Sequence, residues 1–391
     1  MNILLGWCVR VCKRIGSICD IYKMPQDIQE FVRDGGHSKP FYIIFSGVDF
    51  KDDEGQAPVR LTQSLARYGS RCIYVYFHFK GFFHLYKYGR LDDKIFICSS
   101  FRFLWFYKQL FIYLFAQRIK TVLLITHPHV HVMRLLAFAK RTNIIIMYHV
   151  LDYWREFKKA NMAHWFSVKI EREIIKHTAL RFCVSRDLSV YYSQKYHKHF
   201  DILPNGYVRD SGHLNAVPVI TKSRITLGYV GWLSAERLDW DLISETARKN
   251  PDWMFHMFGY LLDEGVVVPQ NVKMHGSISR ASYTFLVSQF DVCLIPYRKR
   301  TLSAMSDPIK AYEYISCYRP IVVTGVNRIS HNPYTYVANN TVESFSHAIL
   351  RATRARIDKG RIDTFLKNKT WDHRAMTINH YVNKLSAKIL N

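Results

Sequence analysis

A helix start beside a basic loop is the part of this sequence with the densest potential for chemistry. Asp307 is a good N-cap residue and Pro308 a good first helical residue, so the sequence predicts a helix that begins here. A helix start offers unpaired N–H groups and the positive end of the helix dipole, which suit a phosphate. Lys310 adds a cation, and Glu313 on the same face can accept hydrogen bonds from sugar hydroxyls. The alternative is an ordinary capped helix with a solvated charge pair.

The loop before this helix adds further cations. An apolar run ends at Pro296, and Arg298, Lys299 and Arg300 follow it closely. A strand end, a basic loop and a helix start together favour a site for a phosphorylated ligand. The predicted members of this site are Tyr297, Arg298, Ser306, Asp307, Lys310 and Glu313.

A second set of residues follows a strand of the first half, in the run 148–154, YHVLDYW. A carboxylate at a strand end is suited to deprotonating an acceptor hydroxyl. Asp152 is the first candidate for this base and His149 the second. The alternative is that Asp152 caps a helix over Tyr153–Ala160.

Three histidines alternate in the run 126–131, THPHVH. Alternate histidines on a strand can bind zinc, but Pro128 breaks the strand and no Cys or carboxylate lies close in sequence. We therefore predict no metal site. His127 is expected to line the acceptor side, and His129 and His131 are expected to be ordinary loop histidines.

The chain has 391 residues, and 55 Lys and Arg against 31 Asp and Glu give a net charge of +24. This balance indicates nucleic acid, an anionic membrane or a phosphorylated ligand as partner, or else a basic solvated surface. Segments Tyr74–Arg90 and Ser100–Lys120 interleave aromatic residues with Lys and Arg, which favours a surface lying on anionic lipid. The alternative for Ser100–Lys120 is a core helix. No nucleic-acid-binding signature occurs.

Short apolar strands alternate with helices along the whole chain, which predicts parallel sheets covered on both faces. The first series runs from Phe41–Phe45 to Leu180–Val184, and a second begins at Ile225–Val230. The turn Leu203–Gly206 lies between them. The eight scattered cysteines indicate a reduced, cytoplasmic protein, and no run is apolar enough to span a bilayer.

The C-terminal half resembles the nucleotide-sugar half of GT-B glycosyltransferases, most closely the bacterial cell-surface polysaccharide enzymes related to glycosyltransferase family 4. The resemblance lies in the runs DVCLIPYR, DPIKAYEY and RPIVVT of residues 291–324. It extends to the glycine loop Gly228–Gly231, to Pro251–Gly259, to Val184–Gly206 and to Trp371–Arg374.

The resemblance implies roles for individual residues. Glu313 matches the glutamate that binds the donor ribose, and Lys310 and Arg298 match basic residues near the diphosphate. Gly231 matches a loop that lets the backbone approach the ligand. Gly47 and Gln56 lie in a loop that contacts acceptor or donor. Retaining members carry another Glu eight positions before the ribose-binding one, and Met305 stands there.

We therefore expect an α/β GT-B protein with two Rossmann-like, doubly wound domains facing a cleft, and a C-terminal helix that crosses back to the N-terminal domain. The expected divisions are an amphipathic arm over 1–39, an acceptor domain over 40–210, a nucleotide-sugar domain over 211–370 and a crossing helix over 371–391. The expected activity is metal-independent and cofactor-free transfer of a sugar from a nucleotide donor, UDP-linked, to a lipid-linked or polysaccharide acceptor. It would take place at the inner face of the plasma membrane. The alternatives are a non-catalytic partner subunit and a nucleic-acid-binding protein.

Overall fold

The computed structural model describes residues 24–34, 38–51, 55–77, 88–208, 220, 224–260, 266–327, 329 and 331–390. Residues 1–23 of the predicted arm and residues 78–87 of the aromatic segment lie outside this set. Among the described residues, no helix is long and apolar enough to cross a membrane.

The first sheet has eight strands in the order β3-β4-β2-β1-β5-β6-β7-β8. Strand β3 pairs antiparallel with β4, whereas β1 pairs parallel with both β2 and β5. All residues of β1, β2 and β5 are buried, because helices cover both faces of a parallel sheet. The strands are β1 Phe41–Ser46, β2 Cys72–Tyr76, β3 Tyr88–Arg90, β4 Ile95–Ser99, β5 Thr121–Ile125, β6 Ile145–Val150, β7 Leu180–Cys183 and β8 Asp201–Ile202.

The second sheet has six strands in the order β11-β10-β9-β12-β13-β14, all paired in parallel. Counted from its own first strand this is 3-2-1-4-5-6, the strand order of a dinucleotide-binding Rossmann sheet. Its strands are β9 Ile225–Val230, β10 Trp253–Phe258, β11 Val272–Met274, β12 Val292–Pro296, β13 Ile321–Thr324 and β14 Thr335–Val337.

Most of the helices connect successive strands, whereas the first precedes β1 and the last three follow β14. Those up to β8 are α1 Gln26–Arg33, α2 Ala57–Arg67, α3 Ser100–Ala116, α4 His131–Ala139, α5 Trp154–Lys159, α6 Val168–His177 and α7 Arg186–Tyr196. Those after β9 are α8 Trp240–Lys249, α9 Tyr283–Val287, α10 Thr301–Ala304, α11 Ile309–Ser316, α12 Val342–Thr353, α13 Lys359–Leu366 and α14 Trp371–Leu390.

Chain contacts divide the protein into two compact units. The first comprises Met1–His149, Trp165–Arg181 and Ala375–Asn391, and the second comprises Val150–His164 and Phe182–Arg374. Helix α14 begins in the second unit and continues in the first. There, the hydroxyl of Tyr42 donates to Oδ1 of Asn379 at 2.6 Å, and Nζ of Lys120 donates to Oδ1 of Asn383 at 3.1 Å. The predicted return of the C-terminal helix is confirmed, as is the pair of Rossmann-like sheets.

Candidate functional site

The strand order of the second sheet fixes where a ligand can bind. Strands β9 and β12 are neighbours, and the chain leaves β9 toward one edge and β12 toward the other. Ligands of open parallel sheets bind beyond the carboxyl ends of the strands at such a reversal. Gly231 directly follows β9 and Tyr297 directly follows β12. Two of the residues predicted for the donor therefore lie at this position.

Lys310 lies in the first turn of α11, and its side chain reaches this reversal point. Its Nζ donates to the hydroxyl of Tyr229 at 2.9 Å and to that of Tyr297 at 3.1 Å. It also lies 4.5 Å from the centre of the Tyr229 ring, a cation–π contact. Burial opposes the charge, but the two phenols outweigh it and raise the pKa of Lys310. Lys310 is therefore a fixed cation.

Gly231 makes room for this cation. Its φ is +149°, and a Cβ added there would lie 2.8 Å from Nζ of Lys310. A side chain at this position would displace the ammonium group, and its positive φ favours glycine, so Gly231 suits a site that holds Lys310 in place.

Arg237 is a second cation at the reversal point that the sequence reading missed. Its guanidinium carbon lies 5.0 Å from the ring centre of Tyr297 and 5.6 Å from that of Phe157. Its Nη2 is 3.8 Å from Oδ1 of Asp152, and its buried Nε has no hydrogen-bond partner among the described residues. Its position in the sequence could have indicated this role. Arg237 lies six residues after Gly231, in the loop that follows the first strand of the second half.

Glu313, the predicted ribose ligand, is buried one turn after Lys310. Its Oε1 forms an ion pair of 2.7 Å with Nη1 of Arg280, whose guanidinium also lies over the ring of Tyr283 at 4.6 Å. Glu313 thus has a fixed position, and Arg280 is a further residue that the sequence reading missed.

The two arginines of the basic loop after β12 contact protein groups outside the reversal point. Nε of Arg298 donates to the carbonyls of Ala235 and Leu238, each at 3.0 Å. Arg300 forms an ion pair of 2.7 Å with Glu236. Both side chains bind the loop that carries Arg237. Arg298 therefore positions this loop through its hydrogen bonds.

Asp307 does not cap helix α11, contrary to the sequence prediction. The helix begins at Ile309 after an N-cap at Pro308, and no side chain caps it. Instead, the Asp307 carboxylate accepts the backbone N–H of Asn205 at 2.7 Å and the hydroxyl of Tyr312 at 2.8 Å. Burial raises the pKa of Asp307 to about 6, although these hydrogen bonds lower it. The carboxylate therefore binds the backbone at Asn205 in place of the helix start.

Ser306 also has an internal partner, because its hydroxyl donates to the carbonyl of Ser303 at 2.7 Å. Ser306 and Asp307 line a pocket of about 460 Å³, together with Met305 and Tyr312. The carbonyl of Met305 accepts a hydrogen bond of 2.6 Å from Ser185.

Asp152 is accessible and close to a cation. A quarter of its side chain, 25%, is exposed, and Arg237 is its ion-pair partner. Burial raises the pKa of Asp152 to about 6, and the charge of Arg237 limits the rise. Helix α5 begins after an N-cap at Tyr153 and has no side-chain cap, so the alternative that Asp152 caps it is wrong. His149, in contrast, is almost wholly buried.

The first sheet has its own reversal point, between β1 and β5. Gly47 follows β1 and His127 follows β5, and a Cβ on Gly47 would lie 2.8 Å from the imidazole Cδ2 of His127. The imidazole packs against Trp165, with ring centres 5.4 Å apart. The structure thus brings Gly47 and His127 together, whereas Gln56 is an exposed N-cap residue of α2.

The other two histidines of that run have packing partners. His129 stacks on Phe77 with ring centres 4.1 Å apart, and Nδ1 of His131 lies 3.0 Å from the hydroxyl of Ser100. Burial, followed by the neighbouring His131, lowers the pKa of His129 to about 4. In the described parts of the chain, no group of three or more His, Cys, Asp or Glu side chains is arranged to hold a metal.

Comparison with known proteins gives one relative by sequence. Over 120 residues the chain is 28% identical to "Putative teichuronic acid biosynthesis glycosyltransferase TuaH" of Bacillus subtilis (strain 168). The match covers 29% of this chain and 30% of that protein, so it spans less than a third of the relative's length. No family model matches the chain.

Comparison with solved structures covers most of the chain. HepE of Anabaena, solved with UDP and glucose, is 14% identical, with 89% of this chain and 99% of that chain covered at a TM-score of 0.55. The galactosyltransferase WaaB of the lipopolysaccharide outer core is 11% identical, with 88% and 99% covered at 0.58. A trehalose 6-phosphate synthase from Burkholderia multivorans is 9% identical, with 90% and 98% covered at 0.59. At this level of identity the similarity is one of fold, and it confirms the resemblance found in the sequence: the chain has the two-domain GT-B fold of glycosyltransferases.

Proposed function

We propose that the protein is a glycosyltransferase of bacterial cell-surface glycan biosynthesis, which moves a sugar from a nucleoside diphosphate donor, UDP-linked, to a lipid-linked or polysaccharide acceptor. The observation that carries the proposal is the pair of cations at the reversal point of the second sheet. Lys310 is fixed by two phenols, and Arg237 carries a buried Nε without a partner among the described residues. A diphosphate would compensate the charge of Lys310 and would accept a hydrogen bond from Nε of Arg237. The UDP bound in HepE and the name of the Bacillus relative support this choice.

The donor would be held by three groups. Lys310 and Arg237 would bind the diphosphate, and Glu313 would accept hydrogen bonds from the ribose. Two cations in a partly desolvated site stabilise the charge that develops on the leaving diphosphate. We propose that they do so without a metal ion.

Asp152 would serve as the base. The acceptor oxygen forms a bond to the anomeric carbon, the bond from that carbon to the diphosphate oxygen breaks, and the hydroxyl proton passes to the Asp152 carboxylate. A base in this role belongs to an inverting transfer. Gly47 and His127 would contact the acceptor.

Helix α3 supports the further proposal that the protein binds the inner face of the plasma membrane. One face of the helix is core, as the alternative reading of the sequence required, with Phe103, Phe106 and Leu110 buried. The opposite face exposes Phe101, Trp105 and Phe115 to 47%, 57% and 45%, with Lys108 between them. Exposed aromatic residues interleaved with a cation suit an anionic lipid interface.

Calorimetric titration with UDP tests the donor site. Lys310→Ala and Arg237→Ala should each weaken UDP binding about a hundredfold, because truncating one partner of a buried charged contact costs roughly 2–5 kcal/mol. Lys249→Ala is the matched control, since Lys249 pairs with exposed Glu343 at 3.0 Å on the surface. If Lys310→Ala and Arg237→Ala bound UDP as tightly as the wild type and the control do, the proposed diphosphate site would be excluded.

Met305 favours one other candidate, a non-catalytic GT-B-like partner subunit, because it replaces a glutamate of retaining enzymes. Turnover of a nucleotide sugar by the purified chain distinguishes the two. Donor binding without any turnover, across a panel of nucleotide sugars and acceptors, would favour the partner subunit.

A further inference from the structure

Arg280 reaches Glu313 from a different connection of the second sheet. It lies in the 3₁₀ turn Arg280–Ser282, which comes after β11 and leads directly into α9. Glu313 lies on α11, between β12 and β13. Nη1 of Arg280 and Oε1 of Glu313 are 2.7 Å apart, and 21% and 11% of the two side chains are exposed. The ion pair therefore joins two connections of the sheet in a mostly buried position that keeps some access to solvent.

The guanidinium of Arg280 has a defined position. Its central carbon lies 4.6 Å from the ring centre of Tyr283, a cation–π contact, and the Tyr283 side chain is itself buried. The backbone of the turn is held by a hydrogen bond of 3.2 Å from the N–H of Ser282 to the carbonyl of Ser279. The planar fork of the arginine therefore meets the Glu313 carboxylate from a fixed direction.

The ion pair leaves part of the Glu313 carboxylate available. In the described part of the chain, this carboxylate accepts no hydrogen bond other than that from Arg280. Its two oxygens offer roughly four lone-pair positions, so Oε2 and one position of Oε1 remain for a ligand. The neighbouring hydroxyls of a ribose are two donors that such a carboxylate can bind together.

The orientation of Glu313 depends on Arg280. A mostly buried carboxylate without a charged partner is costly, and its side chain would turn toward solvent or take up a proton. Either change would remove the acceptor atoms from the place where Arg280 holds them. The position of the carboxylate, and with it any recognition of hydroxyls, is therefore set by a residue on another connection of the sheet.

We propose that Arg280 is a positioning residue for ribose recognition, which holds Glu313 so that its carboxylate accepts the 2′ and 3′ hydroxyls of the donor's ribose. This inference rests on the proposed function, because it needs Glu313 at the nucleoside of the donor. Arg280 acts through Glu313 and not on the diphosphate. The pair would thereby select ribonucleotide donors over nucleotides that lack these hydroxyls.

Calorimetry on the full chain tests this with two probes, UDP and 2′,3′-dideoxy-UDP, which has the same base and diphosphate but neither hydroxyl. The wild type should bind UDP at least about tenfold more tightly, because its ribose can form two charge-assisted hydrogen bonds to Glu313. R280Q should lose most of this preference. R280K should recover part of it, because it restores the charge without the planar fork.

A surface arginine provides the matched control. Arg224 forms an ion pair of the same length, 2.7 Å, with Asp252, but 74% and 43% of these two side chains are exposed. Arg224→Gln should leave both the UDP affinity and the preference for UDP unchanged, because an exposed ion pair contributes little.

A double-mutant cycle shows whether Arg280 acts through Glu313. E313Q should remove most of the preference for UDP, and R280Q/E313Q should reduce it no further than E313Q does. If the two residues acted independently, their effects on the preference would multiply. The double variant leaves no buried charge without a partner, so the comparison with E313Q still holds if R280Q alone does not fold.

Three results would overturn the proposal. They are a preference for UDP that R280Q leaves unchanged, a loss in R280Q/E313Q beyond that in E313Q, and equal binding of both probes by the wild type. Each of them leaves the diphosphate site at Lys310 intact. Failure of the wild type to bind UDP at all would instead contradict the proposed function.

Discussion

Whether a basic residue can bind an anionic ligand depends on the partners that its side chain already has. The basic residues of the second unit show this. Arg298 and Arg300 have their charges engaged by backbone carbonyls and by Glu236. Among the described residues, the hydrogen-bond partners of Lys310 are the hydroxyls of Tyr229 and Tyr297, so its charge is held in position without a carboxylate. A ligand with a diphosphate gains most from a cation of the second kind, because nothing must be displaced to reach it.

Asp152 leads to a prediction about pH. A base acts in its ionised form, and burial raises the pKa of this carboxylate to about 6. The value of kcat/KM should therefore rise with pH through about 6 and level off above it. Asp152→Asn should lower turnover about 10²–10⁴-fold, the usual contribution of a general base, with UDP affinity retained. Initial rates across the pH range, with calorimetry for UDP, measure both effects. Near-wild-type turnover in the variant would show that Asp152 is not the base.

Part of this site was predictable from residue types alone. Tyr297, Lys310 and Glu313 lie in one helix start and one strand end, so their proximity follows from local sequence. Arg237 was missed because its role depends on Tyr297 and Asp152, each more than fifty positions away in the chain. Asp307 has the residue type of a helix cap, but a tertiary contact with Asn205 takes its carboxylate instead.

At the scale of elements, the loops after the strands of the second sheet are packed closely against one another. Gly259, which follows β10, has φ +154°, and a Cβ there would lie 1.8 Å from the carbonyl oxygen of Gly231. Gly259 N–H also donates to Gly276 at 2.7 Å. The loop that faces Lys310 is therefore positioned by its neighbour as well as by its own strand.

A pair of glycine substitutions tests this packing. Gly259→Ala should destabilise the protein by about 4 kcal/mol or more, because a positive φ and a backbone clash combine. Gly276→Ala is the control, since its φ is +72° but a Cβ would have nothing within 4 Å. It should cost only about 1–2 kcal/mol. The two variants are compared by their thermal unfolding midpoints. Equal midpoints would contradict the close contact between Gly259 and the carbonyl oxygen of Gly231.

Strands with an apolar run were mostly predictable, and most of the shortest strands were not. The strands at Phe41, Thr121, Ile225 and Ile321 have strongly apolar runs of the expected length, and all are present. Strand β4, Ile95–Ser99, was missed although it is wholly buried. Strand β8 has two residues, and β3 and β14 have three each, lengths at which periodicity carries no information.

For the whole molecule, the net charge of +24 is divided among several places with different partners. Lys310 and Arg237 lie at the proposed donor site, and Lys108 lies on the exposed face of α3. Many other cations form surface ion pairs such as that of Arg224 with Asp252, which contribute little to stability. Charge alone predicted an anionic partner, and the two proposed binding places, the donor site and the exposed face of α3, belong to different units.

Vesicle flotation tests the membrane part of this division. The protein should float with vesicles that contain phosphatidylglycerol and not with pure phosphatidylcholine. The double variant F101S/W105S should lose most of this binding, because two exposed aromatic anchors are removed. Phe285→Ser is the control, a change of an exposed aromatic residue in the second unit. Binding that is insensitive to lipid charge, or to the double variant, would contradict the proposed surface.

The path of helix α14 has a consequence for the order in which the protein is completed during synthesis. Most of the first unit leaves the ribosome early, but its last segment, from Ala375 onwards, is made after the whole second unit. Domains generally fold as they emerge, from the N-terminus onwards. Here the contacts of Tyr42 with Asn379 and of Lys120 with Asn383 can form only after the second unit has been synthesised. The second unit can therefore fold before the first is complete. The unit that is begun first is finished last.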